Sequence, residues 1–287
     1  MKSWRIVASP ESTRSKLVSV GAKVVWPVRI RRVHLFEFAD LRWFPTRLRD
    51  LGSALLQQRL ITDLDVYGCI APLLAGVVAQ TGFLDVVDLC SGASGPWLTL
   101  KSNVERITES KLDVVLTDKY PNARVGHDVA PGIRYCRSAV DAVEPWDQGP
   151  GIRTLFTSFH HFRPAEARRV LGNAVDGRHP VCIFEMTSRS YPGILGALLM
   201  PLIIAIRSIG YRPMTADRIL FTFVLPAIPL LGAWDVLASV MRSYTVREFR
   251  EFTEQLDAPQ YSWSVGRVQS GLGKPPVTYL IGVPART

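Results

Sequence analysis

The sequence predicts an α/β protein built on a mostly parallel sheet, and two observations support this fold class. Short β-branched apolar runs, the first at residues 86–89, recur along the chain between stretches of helical periodicity. This is typical of buried parallel strands joined by helices. The first run leads into a turn of small residues, 90–95, after which a helix can begin at Pro96. Strand, small-residue turn and helix open many nucleotide-binding sheets, because small residues let a ligand approach the backbone.

Four further apolar runs follow, and each ends beside polar residues that can take part in chemistry. They cover residues 113–118, 132–136, 153–157 and 181–186, and the polar residues are Asp118, Asp141, His160, His161 and Glu185. The first turn is of the form G-x-x-G rather than G-x-G-x-x-G, with Cys90 where a dinucleotide-binding turn has its first glycine.

Four motifs lie in order between about residues 86 and 185: D-L-C-S-G-x-x-G, L-T-D-x-Y-P-N, V-D-A and S-F-H-H-F. This series resembles the class I S-adenosylmethionine-dependent methyltransferases. The resemblance implies a Rossmann-like seven-stranded sheet whose last strand is antiparallel, with S-adenosyl-L-methionine as the cofactor. A Rossmann-like enzyme that binds another nucleotide stays open as an alternative.

The resemblance also implies which residues contact the cofactor. Asp88 would lie near the ammonium group, Asp118 and the adjacent Lys119 at the ribose, and Asp141 with Ala142 at the adenine. The amino-acid end of the cofactor would be received by the turn, through Cys90, Ser91, Gly92 and Gly95. The remaining candidates are an aromatic of the N-terminal helices, Tyr67, and two residues facing the acceptor, Ser158 and Phe159. Helix capping by Asp118 and ordinary packing of Tyr67 or Trp43 are the structural alternatives.

A hydroxyl or acidic carbon acceptor needs a general base, and the titratable groups nearest the expected methyl position are the candidates. His160 and His161 follow the fourth strand, and Glu185 ends the fifth. The two histidines can instead form a hydrogen-bonded part of the loop, and Glu185 can pair with an arginine. The four cysteines show no metal-ligand spacing, and no metal site is expected.

Composition bounds the setting of the protein. The 287 residues are 47% hydrophobic, enough for one α/β domain with an appendage, and the net charge is +9. Residues 1–33 contain eight lysines and arginines and one acid, so this basic arm can meet nucleic acid, anionic lipid or an acidic partner, or be only a solvated terminus. Unpaired cysteines and no secretory signal lead us to expect a cytoplasmic protein.

The predicted organisation has three parts. Residues 1–82 form the basic arm and a helical cap, with helices at 45–60 and 63–80, the second either kinked by Pro72 or split near Ala71. Residues 83–189 and 241–287 form the cofactor-binding core, which ends with a helix capped by Thr245 and a β-hairpin. Residues 190–240 form an apolar insertion.

The insertion contains two uncharged stretches, 190–206 and 219–234, each shorter than the roughly 18–20 residues of a bilayer span and interrupted by prolines. Two compatible interpretations are a lid over the active site and a hairpin resting on a membrane. We expect a lid, with Asp235 facing the protein and pairing with an arginine such as Arg242.

The predicted activity is in-line methyl transfer to an apolar small-molecule or lipid-like acceptor. Motifs typical of nucleic-acid amine methylation or protein arginine methylation are missing from the sequence, which makes nucleic acid an unexpected substrate. Pockets for apolar acceptors are lined by hydrophobic side chains, which the insertion supplies. The alternatives are a cofactor-binding protein with a cyclase or regulatory role, and a lipid methyltransferase at a membrane surface.

Overall fold

The computed structural model describes residues 30–41, 43–45, 48, 65–92, 95–122, 125–145, 149–209 and 214–285. Nearly all of the basic arm lies outside these residues, as does most of the helix predicted at 45–60. The residues from Arg31 onward belong to one compact unit.

The core is one eight-stranded sheet in the order β3-β4-β2-β1-β5-β6-β8-β7. Five neighbouring strands are parallel: β4, β2, β1, β5 and β6. β3 pairs antiparallel with β4, and β8 pairs antiparallel with both β6 and β7. The strands are β1 Asp85–Asp88, β2 Asp113–Leu116, β3 Asp128–Ala130, β4 Ile133–Tyr135, β5 Ile152–Phe156, β6 Val181–Glu185, β7 Tyr261–Val268 and β8 Val277–Pro284. The seven predicted strands are confirmed. The eighth, β3, is an addition at the edge that its three residues do not signal.

Helices cover both faces of the sheet. α1 and α2 pack on one face with Tyr67 and Trp97, and α3 and α7 pack on the other with Phe159 and Phe249. The described helices are α1 Ala71–Thr81, α2 Trp97–Thr108, α3 Pro164–Asp176, α4 Tyr191–Ile209, α5 Ala216–Ile219, α6 Ala227–Arg242 and α7 Val246–Gln255.

Local signals account for several helix ends. Thr245 caps α7 as predicted: its hydroxyl accepts the Glu248 N–H at 3.2 Å, and Glu248 accepts the Thr245 N–H at 2.8 Å. Of the two expectations for Pro72, the split near Ala71 is confirmed and the kink is not. The α-helical segment begins at Ala71, after a 3₁₀ turn at Gly68–Ile70, so Pro72 lies in the first turn, where its missing N–H has no partner to lose.

The insertion forms a helical hairpin, made of α4, α5, a π-helical turn at Leu220–Val224 and α6. α4 continues through Pro201 for 19 residues, so the expected interruption of the first stretch is wrong. The two limbs pack closely, since a Cβ added at Gly232 of α6 would lie 2.8 Å from Ile204 Cδ1 of α4.

Candidate functional site

The turn after β1 is held in shape by its own hydrogen bonds. The Ser91 hydroxyl donates to the Asp88 carbonyl at 2.8 Å and accepts the Thr117 N–H at 3.2 Å. Cys90, Gly92 and Gly95 have φ values of 58°, 59° and 54°, a region that favours glycine. A Cβ added at Gly92 would have no atom within 4 Å, so this side of the turn is open space.

Asp118, the acid after β2, lies against this turn. Its Oδ2 accepts the Gly92 N–H at 3.0 Å and its Oδ1 accepts the Tyr120 N–H at 2.8 Å. Burial raises the pKa of its carboxyl, although these two N–H groups favour the charged form. The structure therefore brings together two motifs that are 26 residues apart.

Tyr135 of β4 supports the same turn and was not foreseen. Its hydroxyl donates to the Gly92 carbonyl at 2.8 Å and accepts the Asn122 N–H at 2.9 Å. An aromatic residue in an apolar strand gives no sequence signal of such a role.

Asp88 lies beneath the turn, fully buried. Its Oδ1 accepts the Thr154 hydroxyl at 2.6 Å, and burial raises the pKa of the carboxyl to about 7. A Cβ added at Gly95 would lie 3.1 Å from Asp88 Oδ2, so only glycine leaves both groups in place. Asp88 thus underlies the turn that it was predicted to serve.

Asp141 and Lys119 form an ion pair, with Nζ 2.7 Å from Oδ2. Asp141 Oδ1 also accepts the Val143 N–H at 3.1 Å, and Val140 N–H donates to the Asp118 carbonyl at 2.9 Å. These contacts place the V-D-A motif beside the end of β2. Ala142 is buried, so its side chain contributes packing.

Two predicted contact residues have side chains in the protein interior. Tyr67 is buried and its hydroxyl hydrogen-bonds the Thr157 hydroxyl, while burial raises the pKa of the phenol. Phe159 is fully buried among the rings of Phe162, Tyr244, Phe249 and Phe252. The expectation that the Phe159 ring lines the acceptor side is wrong, because the ring packs into the core against these aromatic side chains of the loop and of α7. Ser158 is buried, and its hydroxyl has no hydrogen-bond partner among the described residues.

His160 lies between two buried carboxylates. Its Nδ1 is 2.8 Å from Glu185 Oε2, and its Nε2 is 3.6 Å from Glu37 Oε1. Burial alone would lower the pKa of His160, but the two carboxylates outweigh this effect and raise the pKa to about 9. Both ring nitrogens of His160 thus face carboxylates, which favour the protonated ring, and its role as a general base stays a prediction.

Glu185 holds the loop rather than facing an acceptor. Its Oε1 accepts the N–H groups of Phe159 at 2.7 Å and His160 at 3.3 Å, and its Oε2 contacts the His160 ring. Both oxygens of this fully buried side chain are thus engaged. Its pairing with an arginine is also wrong, since its charged partner is a histidine.

His161 is partly exposed and lies beside a second ionic group. Its Nδ1 is 3.4 Å from Asp40 Oδ2 and 3.3 Å from a guanidinium nitrogen of Arg242. Burial acts to raise the pKa of Asp40, but His161 and Arg242 outweigh it and hold the value at about 2. Of the three predicted bases, His161 alone keeps an exposed ring.

Glu37 and Arg242 connect the two histidines; Glu37 was not foreseen, and Arg242 was expected only as a partner of Asp235. The Arg242 guanidinium lies 3.1 Å from Glu37 Oε1 and 3.0 Å from Asp40 Oδ2. Arg242 therefore pairs with acids of the N-terminal segment, while Asp235 Oδ1 accepts the Phe38 N–H at 2.7 Å. The sequence signal that could have pointed to Glu37 is its position as the one acid within the apolar run at 33–38.

Glu37, His160 and His161 also form a group of potential metal ligands, with one ligand atom from each within 4.8 Å of the others. Arg242 contacts two members of this group, so a guanidinium already supplies positive charge there. The chemistry of the donor set is that of an ion-pair network.

Comparisons with known proteins define the fold. No protein-family model matches the sequence, and a search of curated proteins also gives no match. Among solved structures, the plantazolicin methyltransferase BpumL in complex with SAH is similar with a TM-score of 0.55 and 9% identity, over 87% of this chain and 94% of that one. The plantazolicin methyltransferase BamL in complex with a triazolic desmethylPZN analog and SAH is similar with a TM-score of 0.52 and 11% identity. The match covers 83% of this chain and 91% of that one.

The chain therefore has the Rossmann-like fold of class I methyltransferases, as the motifs led us to expect. With β3 set aside, its strand order has the inserted antiparallel strand β8 between β6 and β7 that the resemblance implied.

Proposed function

We propose that this protein is an S-adenosylmethionine-dependent methyltransferase that acts on an apolar small-molecule or lipid-like acceptor. The observation that carries the proposal is the hydrogen bond between Asp118 and the Gly92 N–H, which joins the small-residue turn to the acid expected at a ribose. The edge where the parallel strands end is also where ligands bind in open α/β sheets.

The residues present fit this cofactor. The turn is open above Gly92, Asp118 offers two carboxylate oxygens beside it, and the buried Ser158 hydroxyl is without a partner among the described residues. The turn and Asp88 would hold the amino-acid end, Asp118 the ribose and Asp141 the adenine. When bound, S-adenosylmethionine supplies a sulfonium-activated methyl group.

The acceptor side would be formed by the loop after β5. Glu185 fixes the backbone of Phe159 and His160, while Asp40 and Arg242 contact the His161 ring. His161 is the residue that would take a proton from a hydroxyl acceptor. The Asp40 carboxylate, 3.4 Å from its Nδ1, would then stabilise the imidazolium that forms. Positioning of this kind can supply much of the acceleration in methyl transfer.

Calorimetry with S-adenosylhomocysteine tests the cofactor. We expect Asp118→Ala to weaken binding about 10- to 150-fold, equivalent to about 1.5–3 kcal/mol for hydrogen bonds to a charged group. Asp128→Ala, at an exposed acid of β3, is the matched control and should bind normally. Unchanged affinity in Asp118→Ala removes this residue from the site, and binding of NAD in place of S-adenosylhomocysteine refutes the cofactor.

Transfer of a labelled methyl group into a lipid extract tests the activity. His161→Ala should lower turnover about 10²- to 10⁴-fold while the affinity for S-adenosylhomocysteine is unchanged. Cofactor binding without transfer to any fraction of the extract would favour the cyclase or regulatory alternative.

A further inference from the structure

The outer face of the helical hairpin is apolar and exposed. α4 has 19 residues with a mean hydropathy of 1.9, and only 11% of its apolar window is buried. Its exposed large side chains recur every three or four residues, so they form one stripe along the whole helix. They are Leu195, Leu198, Leu199, Leu202, Ile206 and Ile209.

The second limb continues this surface. Phe223, Leu225 and Leu230 are each about half exposed. Helices Ala216–Val224 and Ala227–Arg242 meet at 67°, and together they also pass the length and hydropathy test for a membrane span. A lid that roofs a pocket would bury these side chains against the domain. The described structure instead buries the face between the limbs and leaves the outer face exposed.

The length of this apolar band matches a bilayer. At about 1.5 Å per residue, a helix of 19 residues is about 28 Å long, close to the roughly 30 Å hydrocarbon core of a membrane. The sequence has no charged residue from 190 to 206 and none from 219 to 234. The backbone at the bend is also paired, since the Leu225 N–H donates to the Leu220 carbonyl at 2.7 Å, as hydrocarbon requires.

Charged side chains lie at one end of the band and aromatic side chains at the other, and both kinds favour a membrane interface. The tip of the hairpin carries Arg207, Asp217 and Arg218. The base carries aromatic side chains, which favour the boundary between water and lipid. Tyr191 opens α4 and is largely exposed, and the ring of Trp234 lies 5.2 Å from that of the exposed Phe36.

We propose that this hairpin inserts its apolar band into a lipid bilayer and holds the α/β domain at the membrane surface. Both limbs of the hairpin join the same α/β domain, so the hairpin would enter the bilayer from the side on which that domain lies. The net charge of +9 favours a membrane that contains anionic lipid. Charged side chains at the tip, aromatic side chains at the base and no charge between them fit a bilayer better than a second protein copy as the occupant.

Docking in this way would turn the acceptor side toward the lipid. α4 begins six residues after Glu185 of β6, and α6 ends at Arg242, which contacts His161. The end of the hairpin that joins the domain therefore lies beside His161, the candidate general base. It follows that the acceptor is a lipid-resident molecule, a step that rests on the proposed function, whereas docking itself does not.

Flotation of the purified full chain with vesicles tests the docking. The vesicles are phosphatidylcholine with or without phosphatidylglycerol. The wild type should float, more strongly with phosphatidylglycerol, and should resist high salt and carbonate until detergent is added. The double variant Leu198→Asp/Leu202→Asp should lose at least about tenfold in bound fraction, because a charge at mid-helix opposes insertion.

The matched control is Leu98→Asp/Ile107→Asp, which changes two similarly exposed apolar residues of α2, outside the hairpin. This control should float like the wild type. Failure of the wild type to float with either vesicle, or equal flotation of both double variants, overturns the proposal. Self-association that only the hairpin variant abolishes, without flotation, assigns the surface to a second copy and also overturns it.

Calorimetry with S-adenosylhomocysteine on the same preparations separates the two proposals. Normal cofactor binding by the hairpin variant shows that it is folded, so its loss of flotation reports the surface alone. Flotation without cofactor binding by the wild type leaves docking in place and refutes the proposed function.

Discussion

The charge on His160 makes the stability of this protein depend on pH in a defined window. The pKa of His160 is about 9 in the folded chain, against an ordinary value of 6.5, because Glu185 and Glu37 outweigh the effect of burial. Folding therefore favours the protonated ring. This stabilisation is fully present below pH 6.5 and is lost as the pH rises through 9.

The size of the effect follows from the difference between the two pKa values. At about 1.36 kcal/mol for each pH unit, the difference from 6.5 to about 9 corresponds to about 3 kcal/mol of unfolding free energy. Asp88 titrates at the lower edge of this window, and its contribution cancels when the wild type is compared with a variant of His160. Its carboxyl has a pKa of about 7 when folded and 3.8 otherwise, so its stabilisation is lost as the pH rises from about 4 to 7.

Chemical denaturation between pH 6.5 and 9.5 measures this contribution. We compare the wild type with His160→Gln, and use His127→Gln, at an exposed histidine, as the control. The wild type and the control should lose about 3 kcal/mol across the window relative to His160→Gln. A constant difference between wild type and His160→Gln at all pH values would show that folding does not shift the pKa of His160 from 6.5, and would restore it as a candidate base.

Three further changes test the packing around the site. Arg242→Leu removes the partner of buried Glu37 and should cost about 3–5 kcal/mol in denaturant unfolding; a loss below about 1 kcal/mol would mean that the pair is solvated. Gly95→Ala, at φ 54° and against Asp88, should cost about 1–2 kcal/mol and weaken S-adenosylhomocysteine binding, and unchanged calorimetry would show that the turn relaxes. Thr245→Ala should lower the free energy of unfolding by about 1 kcal/mol in thermal denaturation, because a helix cap is lost. An unchanged melting temperature would show that the cap does not stabilise the fold.

Features that depend on near neighbours in sequence could be predicted. The strands of the core are short apolar runs, and the cap at Thr245 and the hairpin of β7 and β8 rest on residues a few positions apart. The resemblance to the methyltransferases implied that Asp118 and the turn serve one cofactor site, and they are neighbours because consecutive parallel strands end at one edge of a sheet.

The roles of the histidines could not be predicted, since they depend on contacts across the whole chain. Glu37 and Arg242 are 205 residues apart, yet their side chains meet at the loop after β5. Their approach, with Glu185 on the other side, decides that His160 is charged and that His161 keeps the exposed ring.

The sequence by itself determined the positions of the core strands along the chain, the small-residue turn and the apolar character of residues 190–240, because local composition and spacing encode them. Tertiary structure decided that Phe159 faces the core, that Glu185 holds a loop, and that the leucines of α4 face outward. The physical reason is that burial and ion pairing are properties of the surroundings of a side chain. Those surroundings are assembled from residues that the chain keeps far apart until it folds.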